Sequence, residues 1–231
     1  MMREHDTFSV EIPAGRVRLE GDLIVPDEPM GLVAFAHGSG SSRHSPRNRQ
    51  VAQALVDQGL ATLLFDLLTR DEEVAERHSR HLRFDIGFLA NRLVGALEWA
   101  KREAHLQAMP IGIFGASTGA ASALIASTRV PEVAAVVSRG GRPDLAHSTL
   151  PTVSVPTLLI VGSEDHEVLE LNRRAMRQMS APTRLHIVSG ATHLFEEPGT
   201  LGEVTIAAAS WFRKHLCAPT LHEQFGSAWD R

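Results

Sequence analysis

The stretch MPIGIFGASTGAAS, residues 109–122, contains the most informative pattern in the chain. Its apolar run at 111–114 predicts a short buried strand, and the small residues at 120–126 predict a tightly packed helix. Between them, Gly115-Ala116-Ser117-Thr118-Gly119 forms a Gly-x-Ser-x-Gly corner. A serine at such a corner sits on a strained turn that lifts its hydroxyl out of the sheet. A glycine-rich turn with no further role would give the same pattern. Whether Ser117 is catalytic therefore depends on the residues found elsewhere in the chain.

Composition places the chain among ordinary globular proteins. It has 231 residues, 43% of them hydrophobic and 22% charged, which fits one α/β domain with a sizeable core. The net charge is −4 and no basic run occurs, which argues against nucleic acid or an anionic membrane as a partner. The single cysteine, Cys217, excludes an internal disulfide and suits a reducing compartment.

The chain also lacks targeting and membrane signals. Its polar start has no apolar stretch of the kind found in secretory signals. No run of about 18 apolar residues occurs. We therefore expect a cytoplasmic protein without a membrane span.

Short apolar runs alternate with helical patterns along the chain. Residues 8–12 and 16–25 alternate apolar and polar side chains on either side of Pro13-Ala14-Gly15, which predicts an antiparallel hairpin at a sheet edge. Further strands are predicted at 32–36, 60–65, 111–114, 133–137, 157–161 and 184–188. Helices are predicted from Ser45-Pro46 to Gly59 and over 82–99, 168–179 and 201–216. This order predicts one α/β domain over residues 1–231, with a mostly parallel, doubly wound sheet.

Two segments depart from the pattern. Residues 67–83 are charged and have no strand signal, so we expect an insertion at the rim of a pocket. In the tail, 217–231, Leu221, Phe225 and Trp229 recur every four residues and predict one more docked helix.

The first of these segments contains several metal-ligand residue types. His78 and His81 lie near Glu72, Glu73 and Glu76. A metal site is one interpretation, but a solvated helical face is the one we favour, and we expect no metal.

Chemically useful residues follow the predicted strands. In open α/β sheets, ligands bind outside the carboxyl ends of the strands. The residues placed there are His37-Gly38-Ser39, Asp66, Ser117, Arg139, Asp165 and His193. A serine, an acid and a histidine thus follow in the chain order of one hydrolase fold.

These residue types suit nucleophilic catalysis. The Ser117 hydroxyl is a weak nucleophile until a base takes its proton, and histidine, here His193, is the side chain that most often acts as that base. Asp165 would hold that imidazole in the useful tautomer. The backbone N–H groups of Ser39 and Thr118 would then meet the developing oxyanion.

Each residue also has a simpler interpretation. Asp165 could cap the helix that follows it, and Glu164 or Asp66 could replace it as the acid. His193 could be a surface histidine, one of 12 in the chain. We expect His37 to support the oxyanion loop rather than to face substrate. The joint placement of serine, acid and histidine favours the catalytic interpretation.

The chain resembles the α/β-hydrolase superfamily, and most closely its small, nearly lidless dienelactone hydrolase-like branch. The matching pieces are residues 37–40, 115–119, 162–168 and 190–195. This resemblance implies that Ser117 is the nucleophile, Asp165 the acid, His193 the base, and Ser39 and Thr118 the oxyanion donors. We expect the reaction to need no organic cofactor.

One position departs from that branch. Dienelactone hydrolase itself has a cysteine nucleophile, whereas this chain has serine at 117. The prediction is therefore a carboxylic ester hydrolase in the broader sense, acting on a small ester, lactone or thioester. A homodimer is also an open possibility.

Three other functions would account for parts of the same pattern. Residues 115–121 imitate the phosphate loop of short-chain dehydrogenases, but that loop belongs at the first strand, and the catalytic tyrosine of that family is excluded because the chain has no Tyr. A non-catalytic hydrolase-fold binding protein would not need all three groups. An acyltransferase or a cofactor-free perhydrolase would use the same residues with another acceptor.

Two arginines follow the predicted strand at 133–137. Arg139 and Arg142 could receive a carboxylate or phosphate group of the substrate. Alternatively, they are solvated or paired with Asp144 and Glu164.

Overall fold

Eight strands form one sheet in the computed structural model, which describes residues 6–79 and 81–217. The strand order is β1-β2-β4-β3-β5-β6-β7-β8, where neighbours are hydrogen-bonded. Pairing is parallel from β4 onwards, and β2 pairs antiparallel with both β1 and β4. The predicted α/β fold with an antiparallel edge is confirmed.

The strands and helices alternate along the chain. The strands are β1 Asp6–Ala14, β2 Val17–Val25, β3 Leu32–Ala36, β4 Ala61–Phe65, β5 Ile111–Ala116, β6 Val133–Arg139, β7 Thr157–Gly162 and β8 Thr183–Val188. The α-helices are α1 Pro46–Asp57, α2 Arg70–Ser79, α3 Ile86–Ala100, α4 Thr118–Ser127, α5 His166–Met176 and α6 Thr200–Leu216. Two 3₁₀ segments lie at Leu82–Phe84 and Pro143–Thr152.

The central strands are buried on both faces because helices cover both sides of the sheet. In β3, Leu32 and Ala34 join the core that includes α3 and α4, whereas Val33 and Phe35 join the core that includes α1 and α6. Alternate side chains of a strand point to opposite faces, so a strand covered on both sides must be apolar throughout. This is why the continuous apolar runs of the sequence identified the parallel strands.

Some element boundaries differ from the sequence prediction. The helix predicted over 82–99 is divided at Asp85, whose side chain accepts a hydrogen bond from the Phe88 N–H at 2.9 Å and so starts a new helix. The helix predicted over 168–179 begins two residues earlier, at His166, and ends at Met176. These shifts arise because apolar periodicity locates a helix but not its caps.

Residues 70–79 form a helix, but its charged residues are not all solvated. Glu76 is 0% exposed, and its carboxylate accepts hydrogen bonds from the backbone N–H groups of His81, Leu82 and Arg83 at 2.8–3.2 Å. It also pairs with the Arg83 guanidinium at 3.1 Å. The prediction of a solvated face was therefore wrong for Glu76, because the chain folds back over it after α2.

No three His, Cys, Asp or Glu side chains of the described residues are grouped so that they could hold a metal ion. The His78 side chain lies outside the described residues, as do residues 218–231 of the tail helix predicted over 217–231. Within the same described ranges, no helix combines the length and apolar character needed to cross a membrane.

Replacing Glu76 by alanine should remove the acceptor for three backbone donors and leave Arg83 without its partner. We expect Glu76→Ala to lower the free energy of unfolding by roughly 3–5 kcal/mol, the range for breaking a buried pair. Glu73→Ala, an exposed change on the same helix, should stay within about 0.5 kcal/mol. Urea unfolding monitored by circular dichroism measures both, and equal effects would contradict the packing described for Glu76.

Candidate active site

Ser117 lies at the corner between β5 and α4 with a strained backbone. Its φ of 50° and ψ of −122° fall outside the regions that non-glycine residues normally adopt. The strain is maintained by hydrogen bonds on both sides: the Ser117 N–H donates to the Arg139 carbonyl at 3.2 Å, and its own carbonyl accepts from the N–H groups of Ala120 and Arg142. The strained corner predicted from the sequence is present.

The last glycine of the Gly-x-Ser-x-Gly pattern permits a close backbone contact. A Cβ atom on Gly119 would lie 2.6 Å from the His37 carbonyl oxygen and closer still to that of Ala36. Only a residue without a side chain allows α4 to start this near the end of β3. The contact therefore brings the loop after β3 next to Ser117.

His37, the first residue of that loop, is buried and holds it in place. Its Nε2 accepts a hydrogen bond from the Leu67 N–H at 3.0 Å, and its Nδ1 lies 3.0 Å from the Gly38 carbonyl oxygen. Since a carbonyl only accepts, Nδ1 carries the proton and the ring is neutral. Burial lowers the pKa of His37, although the bond to Gly38 opposes that shift. The geometry agrees with the supporting position expected for His37.

The two backbone groups predicted as oxyanion donors lie close together. The Ser39 N–H donates to Thr118 Oγ1 at 2.9 Å. Thr118 is the first residue of α4, where backbone N–H groups lack partners within the helix. This contact, in which the threonine hydroxyl accepts the hydrogen bond of the Ser39 N–H, was not predicted from the sequence.

His193 and Asp165 form a short hydrogen bond between loops that follow different strands. The distance from His193 Nδ1 to Asp165 Oδ2 is 2.6 Å, and the aspartate side chain is 14% exposed. Although Asp165 occupies the N-cap position of α5, its side chain makes no capping hydrogen bond. The capping alternative was therefore wrong, because the carboxylate turns to the imidazole instead.

The other carboxylates considered for this position are engaged elsewhere. Asp66 binds Arg43, through both the backbone N–H at 2.7 Å and the guanidinium. Glu164 accepts from the Ser163 hydroxyl at 2.8 Å. Neither is paired with His193.

Ser117 and His193 line one cavity of about 850 Å³ at the carboxyl ends of the strands. With Nδ1 engaged by Asp165, Nε2 is the imidazole nitrogen left for other partners. No hydrogen bond joins Ser117 to His193 in the part of the chain that the structure describes, and such contacts often tighten only when substrate binds. From the segment 67–83, Leu67, Leu68, Glu73 and Arg83 also line the cavity.

The two arginines after β6 have different environments. Arg142 forms a two-point ion pair with Asp144 at 2.8 and 2.9 Å, so the pairing with Asp144 considered from the sequence is confirmed for Arg142. Arg139 is 9% exposed, lines the cavity, and has no ion pair with any described residue. Burial, helped by the positive charge of Arg47, lowers the pKa of Arg139 to about 10.

Two supporting residues of the His193 loop escaped the sequence analysis. Glu197 accepts hydrogen bonds from the Thr192 hydroxyl at 2.6 Å and from the Thr192 N–H at 3.2 Å, and these bonds lower the pKa of Glu197. Phe195 is buried and has a φ of 56°, so the chain turns sharply just after the histidine. The only signal in the sequence was the Thr192-x-x-x-x-Glu197 spacing, which is too common to be informative.

The contact at Gly119 gives a direct test of the corner. Gly119→Ala would force a Cβ atom into two carbonyl oxygens, so we expect a loss of about 3 kcal/mol or more in the free energy of unfolding. The matched control is Gly202→Ala in α6, where the added Cβ meets nothing within 4 Å, and this change should stabilise by about 0.5–1 kcal/mol. Thermal and urea unfolding measure both. A Gly119→Ala variant as stable as the parent would refute the close contact.

The depressed pKa of His37 predicts a pH effect on stability. In the unfolded chain His37 takes up a proton near pH 6.5, whereas in the folded protein it does so only at lower pH. The stability that the neutral imidazole contributes is therefore fully present above about pH 6.5 and is lost as the pH falls. His37→Gln cannot titrate, so its destabilisation should be smaller at pH 5.5 than at pH 8, by about 1 kcal/mol. Urea unfolding of the parent and of His37→Gln at the two pH values measures this difference in unfolding free energy. An equal destabilisation at both pH values would count against a neutral buried His37.

Comparison with known proteins agrees with this architecture. Residues 19–216 match the model of the Dienelactone hydrolase family. The crystal structure of a dienelactone hydrolase from Anabaena variabilis has 52% sequence identity and a TM-score of 0.91, and the match covers 93% of this chain and 100% of that chain. Est1E from Butyrivibrio proteoclasticus shares the fold at 17% identity, with a TM-score of 0.74 and coverage of 89% and 98% of the two chains.

Two curated relatives come from Mycobacterium tuberculosis, strains H37Rv and CDC 1551. Both carry the name "Putative phosphoribosyl transferase" and are 54% identical over 212 residues. The match covers 91% of this chain but 47% of those proteins, so the chain spans about half the length of these relatives. From the family model and the Anabaena structure, we conclude that the chain belongs to the dienelactone hydrolase family.

Proposed function

We propose that this protein is a serine hydrolase that cleaves a small carboxylic ester, lactone or thioester without a metal or organic cofactor. The observation that carries the proposal is the 2.6 Å hydrogen bond between His193 and Asp165, because His193 lines the same cavity as the strained Ser117. Membership of a hydrolase family supports the same reaction class.

In the first half of the reaction, His193 Nε2 takes the proton of Ser117 as Oγ attacks the substrate carbonyl carbon. Asp165 holds the proton on Nδ1, which keeps Nε2 available as the base, and stabilises the imidazolium. The tetrahedral intermediate collapses, the bond to the leaving oxygen or sulfur breaks, and His193 returns the proton to that atom. The product of this half is an ester of Ser117.

The oxyanion of the intermediate needs two N–H donors, for which we propose Thr118 and Ser39. Since the Ser39 N–H donates to Thr118 Oγ1 in the resting protein, the oxyanion has to replace the threonine hydroxyl as its acceptor. The fixed position of His37 keeps Ser39 within reach for this exchange.

In the second half, water attacks the acyl-enzyme. His193 takes a proton from that water, a second tetrahedral intermediate collapses, and the proton returns to Ser117 Oγ as the carboxylic acid leaves.

The transferase name of the Mycobacterium relatives belongs to proteins about twice as long as the matched region. The grouping of hydroxyl, imidazole and carboxylate in this chain supports acyl transfer from an ester, and membership of a hydrolase family favours water as the acceptor.

A fluorophosphonate probe, which labels activated serines, tests the proposal directly. We expect labelling of the parent protein and of Ser210→Ala, an exposed serine on α6, and none of Ser117→Ala. Turnover of a small aryl acetate should fall at least about 1,000-fold in Ser117→Ala, with the thermal midpoint little changed. Labelling that persists in a folded Ser117→Ala variant, or a parent that is never labelled, would refute the proposed function.

A further inference from the structure

The guanidinium of Arg139 is buried at the wall of the cavity that contains Ser117. Nε and Nη1 are both buried without a hydrogen bond, and among the described residues no carboxylate forms an ion pair with this side chain. A buried charge without a partner costs several kcal/mol, so proteins rarely keep one for structural reasons. Because Arg139 lines the cavity of Ser117, an anion bound there would supply the missing charge.

Arg47 provides a second donor in the same cavity. It lies in the first turn of α1, its Nε is buried without a partner, and its charge contributes to the lowered pKa of Arg139. The Nη1 atom of Arg47 pairs with the exposed carboxylate of Glu196 at 2.9 Å. The start of α1 adds the positive end of a helix dipole to the same wall.

Most of the charged side chains that line the cavity are cationic. Among its described lining residues are three arginines, Arg47, Arg83 and Arg139, and one carboxylate, Glu73, which is exposed. Arg83 is neutralised by Glu76. Arg47 is also paired, with the exposed Glu196, but its Nε makes no hydrogen bond. Arg139 has no ion pair with any described residue, so these two guanidinium groups keep donors without acceptors.

We propose that Arg139 and Arg47 form a subsite for a phosphate group on the substrate, a proposal that rests on the proposed hydrolase function. Two guanidinium groups with three buried unpartnered N–H nitrogens match a dianion with three free oxygens better than a carboxylate, which has one charge and two oxygens. Ser117 lines the same cavity as both arginines, so one bound substrate could contact the subsite and the reacting serine. The substrate is thus a small ester whose acyl or alcohol part carries a phosphate that is itself not cleaved.

Binding is tested without turnover by thermal unfolding of Ser117→Ala at pH 7.5. We expect inorganic phosphate to raise the midpoint in a saturable way, and acetate at matched ionic strength to raise it much less. Arg139→Gln in the same background should lose the phosphate shift, and without phosphate it should be at least as stable as its parent, since a buried unpaired charge is removed. Arg142→Gln is the matched control and should retain the shift, because Arg142 is paired with Asp144 and does not line the cavity.

Specificity is tested with three aryl acetates that differ in one ring substituent, a methyl, a carboxylate or a phosphate monoester. We expect kcat/KM for the phosphate compound to exceed that for the methyl compound roughly 10-fold or more, and Arg139→Gln to reduce this ratio close to one. Arg142→Gln should leave the ratio unchanged.

The outcomes separate the two proposals. No saturable phosphate shift, an equal shift in Arg139→Gln, or a preference for the carboxylate ester would each overturn the phosphate subsite. If fluorophosphonate fails to label Ser117 while the Arg139-dependent shift persists, the hydrolase proposal fails and the anion subsite stands.

Discussion

The close approach of α4 to the end of β3 at Gly119 is the contact on which the site depends. It places the Ser117 corner against the His37 carbonyl and so joins two loops separated by about a third of the chain. With a larger residue at 119, the helix would have to move outward and carry the serine with it. The energetic cost of the strained Ser117 backbone is offset by hydrogen bonds to residues 139 and 142, which a displaced helix could not make.

The same end of the sheet is built from several loops that are each held by local contacts. His37 ties the loop after β3 to Leu67, and Glu197 ties Thr192 within the loop that carries His193. Asp165 links the loop after β7 to that histidine. A rigid parallel sheet positions the start of each loop, and side-chain hydrogen bonds fix the rest. This arrangement explains why residues that are far apart in the chain surround one cavity.

Two buried ionisable side chains, Glu76 and Arg139, have opposite environments. Glu76 has one guanidinium and three backbone N–H groups, so its burial anchors the chain between α2 and α3. Arg139 has no comparable partner among the described residues and faces the cavity. A satisfied buried charge contributes to the architecture, whereas an unsatisfied one is destabilising in the absence of a ligand. That contrast is the physical reason for assigning a binding role to Arg139 and a structural one to Glu76.

The sequence by itself determined the fold class, the strand positions and the serine corner, because these depend on short-range patterns: apolar runs buried on both faces, and glycines where backbones meet. It also brought Ser117, Asp165 and His193 to the same end of the sheet, since that follows from strand order. Only the tertiary structure decided which carboxylate contacts His193, that Thr118 Oγ1 engages the Ser39 N–H, and that Arg142 is paired while Arg139 is not. Those outcomes depend on which side chains of distant segments meet within about 3 Å, and spacing along the chain carries no information about such distances.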